Sequence, residues 1–242
     1  MNTYPIHIKP FGKSAVLVEW PFDIDTNILD DILIFKDYVK LQGYGGPEWE
    51  IVAAYNSLTL VNNQRELKFD EISAALHKLY KERKEGAKKE PRHWKLPVCY
   101  DLEFGIDLEE LSQQLSKSIE QIITLHTAAT YTVFGIGFLP GFLYLGGVPR
   151  DLETPRKASP RLNVRKGSVG LARKQTGIYP QDSPGGWNII GNCPIPIFDA
   201  QKENPCFVRV GDTVNFYSIT RAQFDLHTIQ AEVGIDLLTK DN

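Results

Sequence analysis

His126 to Asp199 reads HTAATYTVFGIGFLPGFLYLGGVPRDLETPRKASPRLNVRKGSVGLARKQTGIYPQDSPGGWNIIGNCPIPIFD, and this stretch decides the fold of the larger part of the chain. Glycine and proline recur every few residues between aromatic and basic side chains. Glycine supplies left-handed backbone and close approach, and proline fixes φ and removes a donor, so the stretch predicts loops and short strands rather than a helix. Backbone held on so irregular a path is where binding groups are commonly mounted.

Outward from that stretch the pattern stays β-rich. CFVRV and TVNFYSI flank Gly211-Asp212 and predict a hairpin, and Thr220 caps a final short helix. Upstream, Asp107-Leu-Glu-Glu110 and Ser118-Ile-Glu-Gln121 have the form of capping boxes before two apolar stripes, and the second stripe brings His126 to a helix end. His93 to Tyr100 alternates as a strand. Many short strands with turns at short intervals predict a β-barrel over 93–242.

KERKEGAKKEPR, residues 81–92, is charged, aperiodic and interrupted by Gly86 and Pro91, so it reads as a linker that protease would nick first. Before it, AVLVEW predicts a strand, and Ile28, Ile32, Phe35 and Val39 mark a helix capped by Asp25 or Thr26. IVAAYNSLTLV predicts two strands around Asn56-Ser57, and Asp70 is placed to cap a second helix. Residues 1–85 therefore form a small α/β domain, and the whole chain is α+β.

The 242 residues are 42% hydrophobic and 24% charged, with a formal charge of -3 and pI near 6.0. That balance offers no long-range attraction to nucleic acid or anionic lipid, leaving small molecules and proteins as partners. Cys99, Cys193 and Cys206 form no CxxC pair and have no histidine at ligand spacing, so no metal set is expected and a reducing, cytoplasmic setting fits. Met1 to Ala15 lacks a secretory pattern. Thr127 to Pro149 is uncharged and long enough to span a bilayer, but Gly135, Gly137, Gly141, Gly146, Gly147 and Pro140 would break a spanning helix.

Three features suggest a binding site. Arg156 and Arg161 each follow a proline, and a proline-anchored guanidinium fork suits a carboxylate or phosphate; two surface ion pairs are the plainer reading. Ser183-Pro-Gly-Gly-Trp187 offers backbone donors through Gly185 and Gly186 beside an aromatic wall, or else a tight turn. His126 has the chemistry of a general base, or of a structural core residue. No Walker loop and no G-x-S-x-G elbow occur.

The motifs H-x4-Y at His126 and Tyr131, GFLPGFLYL at Gly137 to Leu145, PR-x3-PR at Pro155 to Arg161, GSVG at Gly167 to Gly170 and QTGIYPQDSPGGWNIIG at Gln175 to Gly191 resemble one family. It includes 5-oxoprolinase B-type subunits, KipI-type inhibitors of a sporulation histidine kinase, and subunit 1 domains of allophanate hydrolase. The resemblance implies a cyclophilin-like barrel. It also implies a subunit, inactive alone, of an ATP-dependent enzyme that opens 5-oxo-L-proline to L-glutamate. ATP with Mg²⁺ would be used in a complex with a C-type subunit of the same family and a LamB/YcsF-type A subunit, with none tightly bound by this chain alone.

The residues it directs attention to are Tyr131, Phe138, Pro140, Phe142, Arg156, Arg161, Gln175, Tyr179, Ser183, Gly185, Gly186 and Trp187, with His126 as the catalytic candidate. Departures from the family's pattern are Arg165 for proline, Arg173 for glycine, and Asn192-Cys193 for an Arg-Thr pair. A regulatory protein that inhibits a sensor histidine kinase is the alternative function on the same fold; prolyl isomerisation by analogy with cyclophilin lacks the active-site sequence.

Overall fold

The computed structural model describes residues 4–83 and 90–235. The chain divides into two compact units, Met1–Glu90 and Pro91–Asn242. Of the 81–92 linker, residues 84–89 lie outside the described residues.

In the first unit, β1 (His7–Pro10), β2 (Ala15–Glu19), β3 (Trp49–Ala54) and β4 (Ser57–Asn62) form an antiparallel sheet in the order β1-β2-β4-β3. Helices α1 (Thr26–Val39) and α2 (Phe69–Glu82) accompany it. Val16, Val18, Leu58 and Leu60 are buried on the sheet, as are Ile28, Leu29, Ile32, Phe35 and Val39 on α1, which is the face the helical spacing predicted. The Asp25 carboxylate caps α1 by accepting from the Asn27 N–H at 2.7 Å. Asp70 does not cap α2: the helix starts one residue earlier, and Asp70 sits within its first turn. There its charge still favours the positive end of the helix dipole.

The second unit is built on β5 (His93–Cys99), α3 (Leu108–Leu115), α4 (Ile119–Ala128), β6 (Thr130–Ile136), β7 (Leu143–Gly146), β8 (Arg161–Val164), β9 (Ser168–Ala172), β10 (Gln175–Ile178), β11 (Ser183–Gly185), β12 (Asn188–Asn192), β13 (Thr213–Ile219) and α5 (Arg221–Glu232). Seven strands close into a barrel in the order β10-β7-β6-β13-β5-β12-β9, and β8 with β11 makes a separate two-stranded ribbon. Trp94, Leu96, Val133, Leu143, Leu145, Val169, Leu171, Ile190, Val214 and Phe216 belong to one buried core.

The expected hairpin at Gly211-Asp212 does not form. β13 runs parallel to β5 and antiparallel to β6, and Cys206 makes only an isolated bridge to Phe198. Buried Asp212 accounts for the difference: its carboxylate accepts from Arg92 Nη2 at 2.6 Å, Trp94 Nε1 at 2.9 Å and the Arg209 N–H at 2.9 Å. These bonds stabilise a corner rather than a two-strand turn. The uncharged 127–149 segment is divided among the end of α4, β6 and β7, and among the described residues no helix is long and apolar enough to cross a membrane.

Candidate functional site

The turn between β6 and β7 begins the site. Its backbone is closed by bonds from the Leu139 N–H to the Gly137 carbonyl at 2.8 Å and from the Phe142 N–H to the Leu139 carbonyl at 2.9 Å. Phe138 has a left-handed φ of 65° and an exposed ring, and Pro140 is also exposed. Holding a phenylalanine in that conformation costs energy that the closed turn must offset.

Phe142, just past the turn, is the centre of an aromatic cluster. Its ring meets Tyr179 at 5.1 Å, Trp187 at 5.4 Å and Tyr144 at 4.8 Å between centroids, and Phe138 at 5.7 Å. Most of these contacts are edge-on, each contributing about 0.5–1.5 kcal/mol beyond burial. Two glycines make room for them. A Cβ at Gly177 would lie 2.5 Å from the Leu143 carbonyl and within 3.2 Å of the Trp187 and Phe142 rings; at Gly185 it would lie 2.3 Å from the Tyr179 hydroxyl.

Arg156 stands over this cluster, its guanidinium carbon 5.8 Å from the centre of the Trp187 ring. The residue is exposed, and no carboxylate lies within ion-pair distance of it among the described residues. Burial pushes the Tyr179 and Tyr144 hydroxyls up, opposed in both by the charge of Arg156 and, at Tyr179, by a bond with the Trp187 backbone. Phe142, Tyr179 and Trp187 are buried, so the arrangement is a rigid aromatic platform that carries one exposed cation, whose chemistry suits a small anion.

Arg161 is placed differently. Its Nη1 and Nη2 donate to the two Asp107 carboxylate oxygens at 2.9 and 2.5 Å. Asp107 is 1% exposed and also receives Lys157 Nζ at 2.9 Å and the Ile189 N–H at 2.6 Å. The Arg161 and Lys157 bonds, with the Ile189 N–H, hold its carboxyl below the usual carboxylate range against the opposing effect of burial. The Asp107 carboxylate therefore makes no capping bond to α3, and the two-arginine clamp is replaced by one arginine on the platform and one bound to the protein's own acid. Ser183–Gly185, within the stretch read as a source of backbone donors or else a tight turn, is strand β11 on β8, and the Gly186 carbonyl accepts from the Lys157 N–H at 2.8 Å. The Ser183 hydroxyl donates to the Pro184 carbonyl at 3.2 Å.

His126 is fully buried inside the barrel core, not at the platform. Thr176 Oγ1 donates to the Gly170 carbonyl at 3.0 Å, so it accepts from His126 Nε2–H at 3.0 Å; Nδ1 then accepts from the Tyr100 hydroxyl at 2.7 Å. Both ring nitrogens are engaged, and burial lowers the histidine's pKa to about 3. The general-base reading of His126 is thereby corrected to a core histidine, because neither nitrogen can reach a substrate. Tyr131 is its neighbour, donating its hydroxyl to the His126 carbonyl at 2.8 Å. Gln175 lies half-buried on β10, opposite Gly146 and Ala172.

Sequence reasoning missed Tyr144, Lys157 and Asp107. Tyr144 was detectable, since it follows Phe142 at the two-residue spacing of one strand face. Asp107 was not, since its partner Arg161 is 54 residues away. The departing residues have local roles: Asn192 Nδ2 donates to the Lys166 carbonyl at 2.9 Å, and Arg173 occupies the two-residue turn between β9 and β10 with φ 54°. Arg165 is exposed, and its carbonyl accepts from the Ser168 N–H at 3.1 Å.

The family model for the carboxyltransferase domain, subdomain C and D, matches residues 6–208. The 5-oxoprolinase B-type subunit of Bacillus subtilis is 33% identical over 240 residues, covering 95% of this chain and 99% of that protein. The corresponding 5-oxoprolinase subunit of Haemophilus influenzae is 41% identical over 211 residues, covering 87% and 97%. The crystal structure of TTHA0988 matches with a TM-score of 0.72 at 31% identity over 85% of this chain and 40% of that one, so this chain spans about two fifths of that longer polypeptide. With a match over most of its length on both counts, the chain belongs to the family of the carboxyltransferase domain, subdomains C and D, alongside the B-type subunits of 5-oxoprolinase to which it is similar over 87–95% of its length.

Proposed function

We propose that this chain is the B-type subunit of an ATP-dependent 5-oxoprolinase, which opens 5-oxo-L-proline to L-glutamate, working in the cytoplasm with a C-type and a LamB/YcsF-type subunit. The observation that carries the reading is the 33–41% identity, over 87–95% of the chain, to proteins named as the B-type subunits of 5-oxoprolinase. The platform is consistent with it. Arg156 can hold a small carboxylate by a charge-assisted bond, with half-buried Tyr144 beside a floor of buried Phe142 and Trp187.

An unstrained lactam is a poor electrophile, and ATP supplies the chemistry of turning its carbonyl oxygen into a leaving group. Among the described residues no group of three His, Cys, Asp or Glu side chains is placed to hold a metal ion, and Mg²⁺ that arrives with ATP takes most of its ligands from phosphate and water. The task assigned to this chain is to bind and orient. Inhibition of a sensor kinase finds no supporting observation in the platform or among the relatives.

Reconstitution tests the proposal. The purified B-, C- and A-type subunits together should release glutamate from 5-oxoproline only with ATP, and this chain alone should release none. Turnover by the single chain would contradict the subunit role; equal turnover by the A- and C-type subunits without it would contradict the function.

A further inference from the structure

Between Thr154 and Gln181 the sequence holds seven lysines and arginines and no Asp or Glu, in a chain whose formal charge is -3. Two of the seven are neutralised within the protein, since Lys157 and Arg161 both bind the buried Asp107 carboxylate. The other five, Arg156, Arg165, Lys166, Arg173 and Lys174, are exposed and make no ion pair among the described residues. Exposed cations left without acids raise the local concentration of anions.

Strand β9 divides them. Arg165 and Lys166 precede it, and Arg173 and Lys174 form the turn that follows it; a strand of that length spans about 17 Å. At the first end an acid is already in place, because the Asp182 carboxylate accepts from the Lys166 N–H at 2.6 Å. The second end is joined to the aromatic platform. The Arg173 N–H donates to the Thr154 carbonyl at 2.5 Å in an isolated antiparallel bridge, and Arg156 stands two residues beyond Thr154. The Asn188 amide ties the segments beside that bridge, donating to the Pro155 carbonyl at 2.8 Å and the Leu171 carbonyl at 3.2 Å. Three cations thus share one corner of the barrel, and Glu153, next to the bridge, makes no ion pair with any of them.

Arg173 also holds a left-handed φ of 54°, which costs a residue other than glycine energy. No ion pair or side-chain hydrogen bond of Arg173 among the described residues offsets that cost. Backbone held in such a conformation without a structural return points to a contact with a ligand. A single carboxylate calls for one guanidinium, which Arg156 supplies. Three adjacent cations call for an anion with several charges, and a linear polyphosphate presents them along its length as oxygens that match the arginine fork and the lysine ammonium.

We propose that Arg173 and Lys174, beside Arg156, bind the polyphosphate chain of a nucleoside triphosphate at the edge of the aromatic platform. The assignment rests on reading the chain as a subunit of an ATP-dependent enzyme, whose chemistry requires the triphosphate to lie next to the ligand that Arg156 holds.

Titration calorimetry on the full-length chain at low salt tests it, with sodium tripolyphosphate as the probe and ATP as the competitor. Wild type should bind tripolyphosphate roughly tenfold or more tightly than orthophosphate, and ATP should displace it. Arg173→Gly and Lys174→Ala should each weaken binding about fivefold or more. Neither should lower the melting temperature, because glycine relieves the left-handed strain and Lys174 is exposed. Arg165→Ala/Lys166→Ala removes two cations at the other end of β9 and should bind within about twofold of wild type. Equal weakening by that double variant and by Arg173→Gly would show a diffuse effect of net charge and overturn the site. Absence of binding by wild type, or failure of ATP to compete, would overturn it as well. Glutamate release by the reconstituted subunits reads the function separately: turnover without tripolyphosphate binding would remove this site and keep the subunit role, and binding without turnover would contradict the role and keep the site.

Discussion

The Arg161 guanidinium and the Asp107 carboxylate meet through two hydrogen bonds, at 2.9 and 2.5 Å, across 54 residues of sequence. That contact joins the start of β8 to the segment leading into α3. Arg161→Ala would leave a buried carboxylate with Lys157 and the Ile189 N–H but without its fork partner. The expected loss is about 1–3 kcal/mol, a fall of several degrees in melting temperature. Calorimetry should show that fall for Arg161→Ala and almost none for Arg156→Ala; equal effects would mean that the two arginines share one role.

Arg156 has the complementary behaviour. It stands exposed over Trp187, so Arg156→Ala removes an exposed charge without opening the core. In the assembled complex the variant should bind 5-oxoproline or another anionic ligand roughly tenfold or more weakly, as expected for loss of a charge-assisted bond of about 1.5–3 kcal/mol. Titration calorimetry reads this directly, and unchanged binding would remove Arg156 from the site.

His126 makes stability depend on pH. Its pKa of about 3 in the folded protein lies below the value of about 6.5 expected in the unfolded chain. Between those values the unfolded state binds a proton that the folded state excludes. Stability from this group is therefore complete above pH 6.5 and declines as pH falls toward 3, by about 1.4 kcal/mol per pH unit. Urea unfolding at pH 7, 6 and 5 should show that slope in wild type and its loss in His126→Gln, a variant less stable at pH 7. A pH-independent wild type would contradict the buried neutral imidazole.

Arg173 sits at φ 54° in the two-residue turn between β9 and β10, a backbone conformation that favours glycine. A left-handed arginine costs about 1–2 kcal/mol, part of which glycine returns through its greater unfolded-state freedom. Arg173→Gly should raise stability by up to about 1 kcal/mol. Thermal denaturation checks it, and a marked loss would show that the Arg173 side chain has a structural task.

Wherever short-range chemistry decides the outcome, the fold was legible. Ser118 and Thr220 both form their capping boxes, and the IVAAYNSLTLV segment folds as the β3–β4 hairpin. The failures lie where a distant residue wins. Asp107 has the spacing of a cap but is claimed by Arg161, and Gly211-Asp212 has the form of a hairpin turn but Asp212 is claimed by Arg92 and Trp94. The site divides in the same way. Phe138, Phe142, Tyr179, Trp187 and Arg156 do come together, because their motifs share the turn and strands around Phe142. His126 and Tyr131 have motif spacing equally clear, yet that spacing serves packing inside the barrel.

The most direct measurement is ATP-dependent glutamate release from 5-oxoproline by the reconstituted subunits, with and without this chain, and with Arg156→Ala in its place. The account predicts turnover only when this chain is present, none from the chain alone, and a loss of roughly tenfold or more in kcat/KM for Arg156→Ala, corresponding to about 1.4 kcal/mol or more. Undiminished turnover in its absence would contradict the account.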